Sequence, residues 1–443
     1  MTNLPNNKFD VCVVGLGYVG LTLATALASA GLRVAGSERS QDVVDLIASG
    51  QSPFHEFGLD EAIQAVVSRG KLVPFSLEDG TPVADSYVIT VGTPVKNGSV
   101  YLEDLKSAVS AVADVMPDGA LTVLRSTVRV GTTRTIAEPI LKDSGKKYAV
   151  AMAPERTIEG KALAELSSLP QIVGGIDENS TQLASELFAR LGVEIVPVHS
   201  AEAAELAKLA SNTFRDVSFA FANELAYFAD QSGVDVYDVV RACNYGYDRM
   251  NVALPGPVAG PCLEKDAYIL SNSADVLGVE VPLAMQGRKT NEFIVSHVVN
   301  SLLPDMNSHT PKVSILGLAF KGRPATSDTR GSLAGDFAQA MKSKYSVTDV
   351  AGWDPLVSVT DAQKMGIHFD ELDEALKSDV VLIQTNHRFF SSEEFYSALE
   401  RNEQPGRVFV DLWNQLDAER ITSMGNRLIP LGRKIIDVKD ALV

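Results

Sequence analysis

The stretch FDVCVVGLGYVG, residues 9–20, decides how the N-terminal part of this chain folds. Its first half is a run of apolar and β-branched residues, the composition of a strand buried on both faces. Its second half is Gly15-Leu16-Gly17-Tyr18-Val19-Gly20, and Tyr18 to Ala30 continues as a helix of small residues. Glycine at 15 and 17 permits a tight turn and close approach of the backbone to a pyrophosphate, and Gly20 lets the helix pack on the strand. Strand, G-x-G-x-x-G turn and helix in that order predict a dinucleotide-binding βαβ unit, with Gly15, Gly17, Tyr18, Val19 and Gly20 at the cofactor. A structural βαβ unit without a ligand is the alternative. Val11 to Leu32 carries no charge and has the length of a membrane span, but glycines at 15, 17, 20 and 31 fit strand, turn and helix better.

Working outward, Leu32 to Gly36 reads as a second strand that leads into Glu38. An acid at that point accepts hydrogen bonds from the adenosine ribose and repels a 2′-phosphate, which predicts NAD rather than NADP. Arg39 beside it keeps NADP as the minor alternative. Strands follow at Ser86 to Val91, Ala120 to Arg125 and Tyr148 to Met152, with a helix near Leu102 to Val115. Their carboxyl ends carry Thr93, Ser126-Thr127 and Pro154-Glu155-Arg156, and ligands of open parallel sheets bind beyond those ends. Thr93, Thr127 and Glu155 are therefore candidate site residues, although either threonine could equally cap a helix.

From Glu202 to Gln231 the chain reads as one long helix. Lys208 and Asn212 lie one turn apart on it, where a cation and an amide could bind a developing oxyanion, or where the lysine could snorkel to solvent. Phe214, Val217, Phe221, Leu225 and Phe228 form an apolar stripe on the same helix, a candidate oligomer interface. A helix near Val236 to Cys243 places Cys243 on an apolar stripe, which reads as core. Then comes PGPVAGPCLEKD, residues 255–266, a rigid proline- and glycine-rich loop that delivers Cys262 to the start of a helix. A thiol there is biased toward thiolate by the helix N-terminus, against the alternative of an inert buried cysteine. Pro282 to Leu303 reads as a helix and Asn307 to Pro311 as a linker. Strands at Lys312 to Leu316, Val347 to Trp353, Val380 to Gln384 and Val408 to Leu412 then form a second α/β domain. The predicted fold is α/β: two Rossmann-like doubly wound domains (1–200 and 307–443) joined by a central helical segment (201–306) with a long helix.

The chain has 443 residues and a net charge of −17, which argues against nucleic acid or an anionic membrane surface as a partner. An anionic substrate would need a locally basic pocket. Three cysteines (Cys12, Cys243, Cys262) with no secretory signal suggest a reducing, cytoplasmic setting. The histidines show no metal-ligand spacing, so no metal is expected.

Seven motifs in order then resemble one family over nearly the whole length. They are GLGYVG (15–20), VGTP (91–94), STVRVGT (126–132), PERTIEGKAL (154–163), KLASNTFRDVSFAFANEL (208–225), PGPVAGPCLEKD (255–266) and LGLAFKGRPATSDTRGS (316–332). The chain resembles the nucleotide-sugar 6-dehydrogenases, the UDP-glucose/GDP-mannose dehydrogenase family. Pro154-Glu155-Arg156, Asn212 to Val217 and Thr385-Asn386-His387 look more like its UDP-N-acetylhexosamine branch (glucosamine or mannosamine) than its UDP-glucose branch. Ala259 stands where the family usually has a glycine, and Glu38 where it more often has aspartate.

The resemblance implies NAD-dependent four-electron oxidation of a C6 primary alcohol through a thiohemiacetal and a thioester on Cys262. It implies that Lys208 and Asn212 stabilise oxyanions, that Asp266 with a water placed by Thr127 is the base, and that Glu155 assists thioester hydrolysis. Arg156 and Glu159 would also lie at the substrate, Arg288 and Lys321 at its diphosphate or uridine end, and Arg330, Arg39 and Thr93 on the cofactor side. A homodimer or larger homo-oligomer is implied as well. Rival readings are a UDP-glucose or GDP-mannose enzyme of the same family, a two-electron hydroxyacid dehydrogenase, and a non-catalytic NAD-binding protein.

Overall fold

The structure, a computed structural model, describes residues 8–96, 98–306 and 310–433. Residues 307–309 of the expected linker lie outside the described residues. The chain divides into two compact units. One takes the chain up to Asn212 together with Tyr268–Val281, and the other takes Thr213–Ala267 together with the chain from Pro282 onward. The helical middle expected over 201–306 is thus shared out between them.

The first unit is built on one eight-stranded sheet. Its strands are β1 (Phe9–Val14), β2 (Val34–Glu38), β3 (Leu72–Ser76) and β4 (Ala84–Ile89), followed, after a small hairpin of β5 (Val95–Lys96) and β6 (Ser99–Val100), by β7 (Ala120–Leu124), β8 (Tyr148–Met152), β9 (Gln171–Gly175) and β10 (Ile195–Pro197). The order is β3-β2-β1-β4-β7-β8-β9-β10. Every pair is parallel except β8 with β9. Strand β1 shows why its sequence lacks alternation. Val11 and Val13 belong to the core on one face of the sheet, and Cys12 and Val14 to the core on the other. Each such fully buried side chain stabilises the fold by roughly 1.5–3 kcal/mol. Strands β3, β9 and β10 were not legible in the sequence. Leu72–Ser76 contains Pro74 and is only half-buried, so neither period nor composition marks it.

The second unit repeats the plan with β11 (Val313–Leu316), β12 (Ala351–Trp353), β13 (His368–Phe369), β14 (Val380–Ile383), β15 (Val408–Asp411) and β16 (Arg427–Pro430). All are parallel, in the order β13-β12-β11-β14-β15-β16. At the end of β12, Asp354 accepts N–H bonds from Leu318 and Ala319 in the turn after β11. Glu38 does the same for Leu16 at the end of β2, so the two units share one device for bracing a first turn.

The long helix spans Ala201–Ser232, close to its expected limits, but its faces are arranged against ordinary amphipathicity. Phe214, Phe221 and Phe228, seven residues apart, point outward and are 74%, 52% and 69% exposed. Asp216, Asn223 and Asp230, also seven apart, turn inward with Ala220, Ala226 and Ala229. The innermost turn is held by Asp230, whose Oδ2 lies 2.6 Å from His297 Nε2 and whose Oδ1 accepts the Gly432 N–H at 2.7 Å. The helix expected over Pro282 to Leu303 is three consecutive pieces, Pro282–Glu292, Ile294–His297 and a π-turn at Val298–Leu302. Cys243 corrects an expectation. The helix Val236–Asn244 buries Val236 and Val240 and ends one residue past Cys243, which is exposed rather than core.

Candidate active site

In the first unit the turn after β1 leads straight into the helix Tyr18–Ser29, whose first turn has no acidic side chain. Open N–H groups at a helix N-terminus favour an anion there. A Cβ at Gly17 would meet nothing within 4 Å, whereas one at Gly20 would lie 1.9 Å from the Gly15 carbonyl oxygen. The second glycine thus leaves space outside the turn, and the third is required by packing. Glu38 accepts N–H bonds from Leu16 at 2.7 Å, Arg39 at 2.9 Å and Ser40 at 3.1 Å. These donors orient its carboxylate at the rim of the turn, where ribose hydroxyls would find it. The residues present therefore fit a dinucleotide. Arg39 is exposed, and its nearest anion is Asp104 at 4.0 Å.

Tyr18 does more than occupy the turn. Its hydroxyl donates to buried Glu56, which also accepts the N–H groups of Gly160 at 2.6 Å and Ala162 at 2.8 Å. Burial, reinforced by Glu56, pushes the Tyr18 phenol well above its ordinary range. Glu56 therefore ties the glycine turn to the segment that carries Glu159.

At the strand ends, the Thr93 hydroxyl donates to the Thr127 carbonyl at 2.5 Å, which brings two expected site residues together. Neither caps a helix, since the helices that follow are capped by Leu102 and Thr132. Beyond β7 and β8, buried Arg125 grips Glu155 Oε2 through Nε at 3.0 Å and through Nη2. Its Nη1 donates to the Ala153 carbonyl at 3.1 Å and to Gln171 Oε1 at 2.9 Å. The other Glu155 oxygen accepts the N–H groups of Arg156 and Thr157, each at 2.7 Å. Burial alone would raise the Glu155 pKa, but the Arg125 guanidinium, the Thr157 N–H and Lys208 outweigh it and hold the carboxyl below its usual range. Lys208 Nζ donates to the Glu155 carbonyl at 2.6 Å. With about four acceptor positions on a carboxylate, all are filled, and none is left for a hydrolytic water. Asn212 is buried one turn along the helix from Lys208. The Arg156 guanidinium turns away to the Pro170 carbonyl.

In the second unit Cys262 is exposed and stands immediately before the helix Leu263–Leu277. Its carbonyl accepts the N–H groups of Asp266 at 3.0 Å and Lys265 at 3.2 Å, which makes it the residue that opens the helix. Asp266 is buried, with Lys265 Nζ 3.0 Å from its Oδ1. The loop before the cysteine is moulded closely. Gly260 has φ +101°, and a Cβ there would lie 2.4 Å from the Phe320 ring. Arg288 is 2% exposed. It was expected at the substrate's anionic end, but its Nη1 donates inward, to Asp216 Oδ1 at 2.9 Å and to the Leu263 carbonyl at 3.0 Å. Lys321 is half-buried with Nζ 5.1 Å from the Phe320 ring centre, and Arg330 forks onto Asp328.

Sequence reasoning missed Glu56, Arg125, Gln171 and Asn223. Only Asn223 left a signal, as a polar residue in seven-residue register with Asp216 and Asp230 on one helical face.

Among the described residues no group of His, Cys, Asp or Glu side chains could hold a metal ion, and no helix is long and apolar enough to cross a membrane. Three family models match the chain consecutively: the UDP-glucose/GDP-mannose dehydrogenase family NAD binding domain over residues 9–192, its central domain over 202–293 and its UDP binding domain over 314–418. The chain is 34% identical over 399 residues to a UDP-N-acetyl-D-mannosamine dehydrogenase of Pyrococcus horikoshii, covering 87% of this chain and 91% of that one. A solved structure of UDP-D-ManNAc dehydrogenase from Pyrococcus horikoshii superimposes with a TM-score of 0.84 at 31% identity, covering 96% of this chain and 99% of the other. A UDP-glucose dehydrogenase from Pyrobaculum islandicum also superimposes with a TM-score of 0.84, at 25% identity, covering 98% of this chain and 100% of the other.

Proposed function

The chain belongs to the UDP-glucose/GDP-mannose dehydrogenase family and is an NAD-dependent nucleotide-sugar dehydrogenase, and on that premise we propose that it oxidises the C6 alcohol of UDP-N-acetylmannosamine, or a similar UDP-N-acetylhexosamine, to the carboxylate. The choice of sugar is supported by the relatives' activity and by the branch-like motifs at 154–156, 212–217 and 385–387. The observation that carries the four-electron reading is Cys262, exposed at the start of a helix at the end of a shaped loop. NAD, when bound on the Gly15–Gly20 turn, supplies the hydride acceptor once for each oxidation.

The chain's own residues do the rest. Asp266, through a water placed by Thr127, takes the alcohol proton as the aldehyde forms. The Cys262 thiolate adds to the aldehyde carbon, giving a thiohemiacetal whose oxidation leaves a thioester. Water displaces the thiolate and releases the carboxylate. The Lys208 ammonium and the Asn212 amide stabilise the successive oxyanions. Because the Glu155 carboxylate is fully engaged, its part is to hold Lys208 through its carbonyl. Glu159 supports the same segment, and Lys321 meets the diphosphate end of the substrate. The test is the ratio of NADH formed to sugar nucleotide consumed across UDP-N-acetylmannosamine, UDP-N-acetylglucosamine, UDP-N-acetylgalactosamine, UDP-glucose and GDP-mannose. Two NADH per UDP-N-acetylmannosamine is the expected result. One NADH would remove the covalent step, and two NADH from UDP-glucose alone would move the enzyme to that branch.

The outward row of Phe214, Phe221 and Phe228 supports a homodimer. A seven-residue repeat of large apolar groups on one helix face matches the same face of a second copy about a twofold axis. Phe221→Glu is expected to convert a sedimenting dimer to monomer. An unchanged sedimentation coefficient would place any subunit contact elsewhere.

A further inference from the structure

The loop that carries Cys262 is gripped at both ends by a single chain of buried side chains. At its start, the Gly256 N–H donates to Asn223 Oδ1 at 2.9 Å, and the Gly256 carbonyl accepts from Asn223 Nδ2 at 3.1 Å. Asn223 Nδ2 also donates to Asn291 Oδ1 at 2.9 Å. Asn291 Nδ2 donates to both the carbonyl and Oδ1 of Asp216, each at 2.8 Å. Arg288 Nη1 closes the relay on Asp216 Oδ1 at 2.9 Å and on the Leu263 carbonyl, at the loop's end, at 3.0 Å. Asn223 and Asn291 are 0% exposed, Asp216 1% and Arg288 2%.

Well-packed apolar side chains could fill this space with no loss of stability, because burying an ion pair and two amides carries a desolvation penalty that its bonds only repay. Burial works against Asp216 here despite Arg288, and pushes its pKa up. Asp216 Oδ2 and Arg288 Nε make no hydrogen bond, and what the bonded groups of the network add is one fixed geometry. The loop needs that from outside, because Pro255, Pro257 and Pro261 have no N–H to donate.

We propose that Asn223, Asn291, Asp216 and Arg288 are positioning residues for Cys262, clamping Gly256 and Leu263 so that the sulfur is held at the helix N-terminus as a reactive thiolate. The proposal rests on the reading of Cys262 as nucleophile. It gives Arg288 a role in shaping the loop in place of one on the substrate's phosphates.

The test uses a Cys243→Ser background, so that iodoacetamide reports on Cys262 while Cys12 stays shielded in the core. Two variants are compared with it. Asn223→Leu breaks the grip on Gly256. Asp216→Asn with Arg288→Met removes both charges together, so that no unpaired ion is left buried. Alkylation of Cys262 at pH 7 is expected to slow about tenfold in each as the sulfur loses its fixed place at the helix start. The kcat should fall by at least that factor, while KM for the sugar nucleotide stays within about threefold. Alkylation and kcat within about twofold of the background in the double variant would overturn the proposal. So would a tenfold rise in KM with kcat and alkylation unchanged, because Arg288 would then be a substrate contact. Failure of the parent enzyme to oxidise any UDP-sugar would instead defeat the proposed function, leaving the alkylation comparison valid.

Discussion

Replacing Cys262 by serine is expected to lower four-electron turnover by on the order of 10³-fold or more, while NAD and the UDP-sugar still bind within a few-fold of wild type. The asymmetry follows from where the sulfur sits. Cys262 is exposed and outside both apolar clusters of its unit, so the exchange leaves those clusters unchanged. A hydroxyl at the same helix start remains protonated at neutral pH and cannot match a thiolate as a nucleophile toward the aldehyde. Acid-quenched wild-type enzyme in turnover should carry the mass of a sugar-nucleotide thioester on the 255–266 peptide, and the variant should carry none. Full turnover by the serine variant would remove the thioester from the mechanism.

Arg125→Met is expected to destabilise the first unit by about 3–5 kcal/mol, because it leaves the Glu155 carboxylate buried without its partner. The pH dependence of the loss has a definite sign. Burial opposes ionisation of folded Glu155, but Arg125, Thr157 N–H and Lys208 together hold its pKa below the ordinary value. The pair therefore contributes its full stability above the unfolded pKa of about 4.3, and that contribution fades as pH falls below it. In the variant Glu155 binds a proton more readily when folded, so the gap between wild type and variant should be widest near pH 7 and narrow toward pH 4. Urea midpoints at the two pH values measure this, and Arg125→Met with Glu155→Gln should recover much of the loss. A variant within about 1 kcal/mol of wild type at neutral pH would show that the buried pair is not what fixes this segment. The same variant should also lose activity, since the carbonyl that anchors Lys208 belongs to Glu155.

The order of elements around the first glycine turn was legible because a buried parallel strand, a turn without side chains and a helix of small residues leave few alternatives. The position of Cys262 at a helix start was legible through its proline-rich setting, and that of Lys208 and Asn212 one turn apart on a helix through their spacing. Arg125 was not, because an arginine at a strand end ordinarily reads as solvated; only the fold reveals that it is sealed under Phe188, with its guanidinium 5.1 Å from the ring centre. Glu56 was hidden for a related reason, since its partners Gly160 and Ala162 lie more than a hundred residues away. Arg288 was found but given the wrong neighbours. Its inward turn depends on Asp216, whose burial no local pattern announces. The long helix shows the limit most plainly. Period alone put Phe214, Val217, Phe221, Leu225 and Phe228 in one stripe, but could not tell that Leu225 would pack on the core while the three phenylalanines faced outward, or that the polar residues beside them would face the interior.

That helix also constrains how the chain can change length. Its inward groups Asp216, Asn223 and Asp230 recur every seven residues, and each meets a fixed partner. Deleting one residue between them would turn everything downstream by about 100°, stranding the partners of Asn223 or Asp230 while swinging a phenylalanine toward the vacated place. Removing seven would restore the phase to within about 20°. The middle of this helix should therefore accept point substitutions on its outer face across evolution, yet reject small insertions and deletions almost completely, making it a ruler whose divisions come only in sevens.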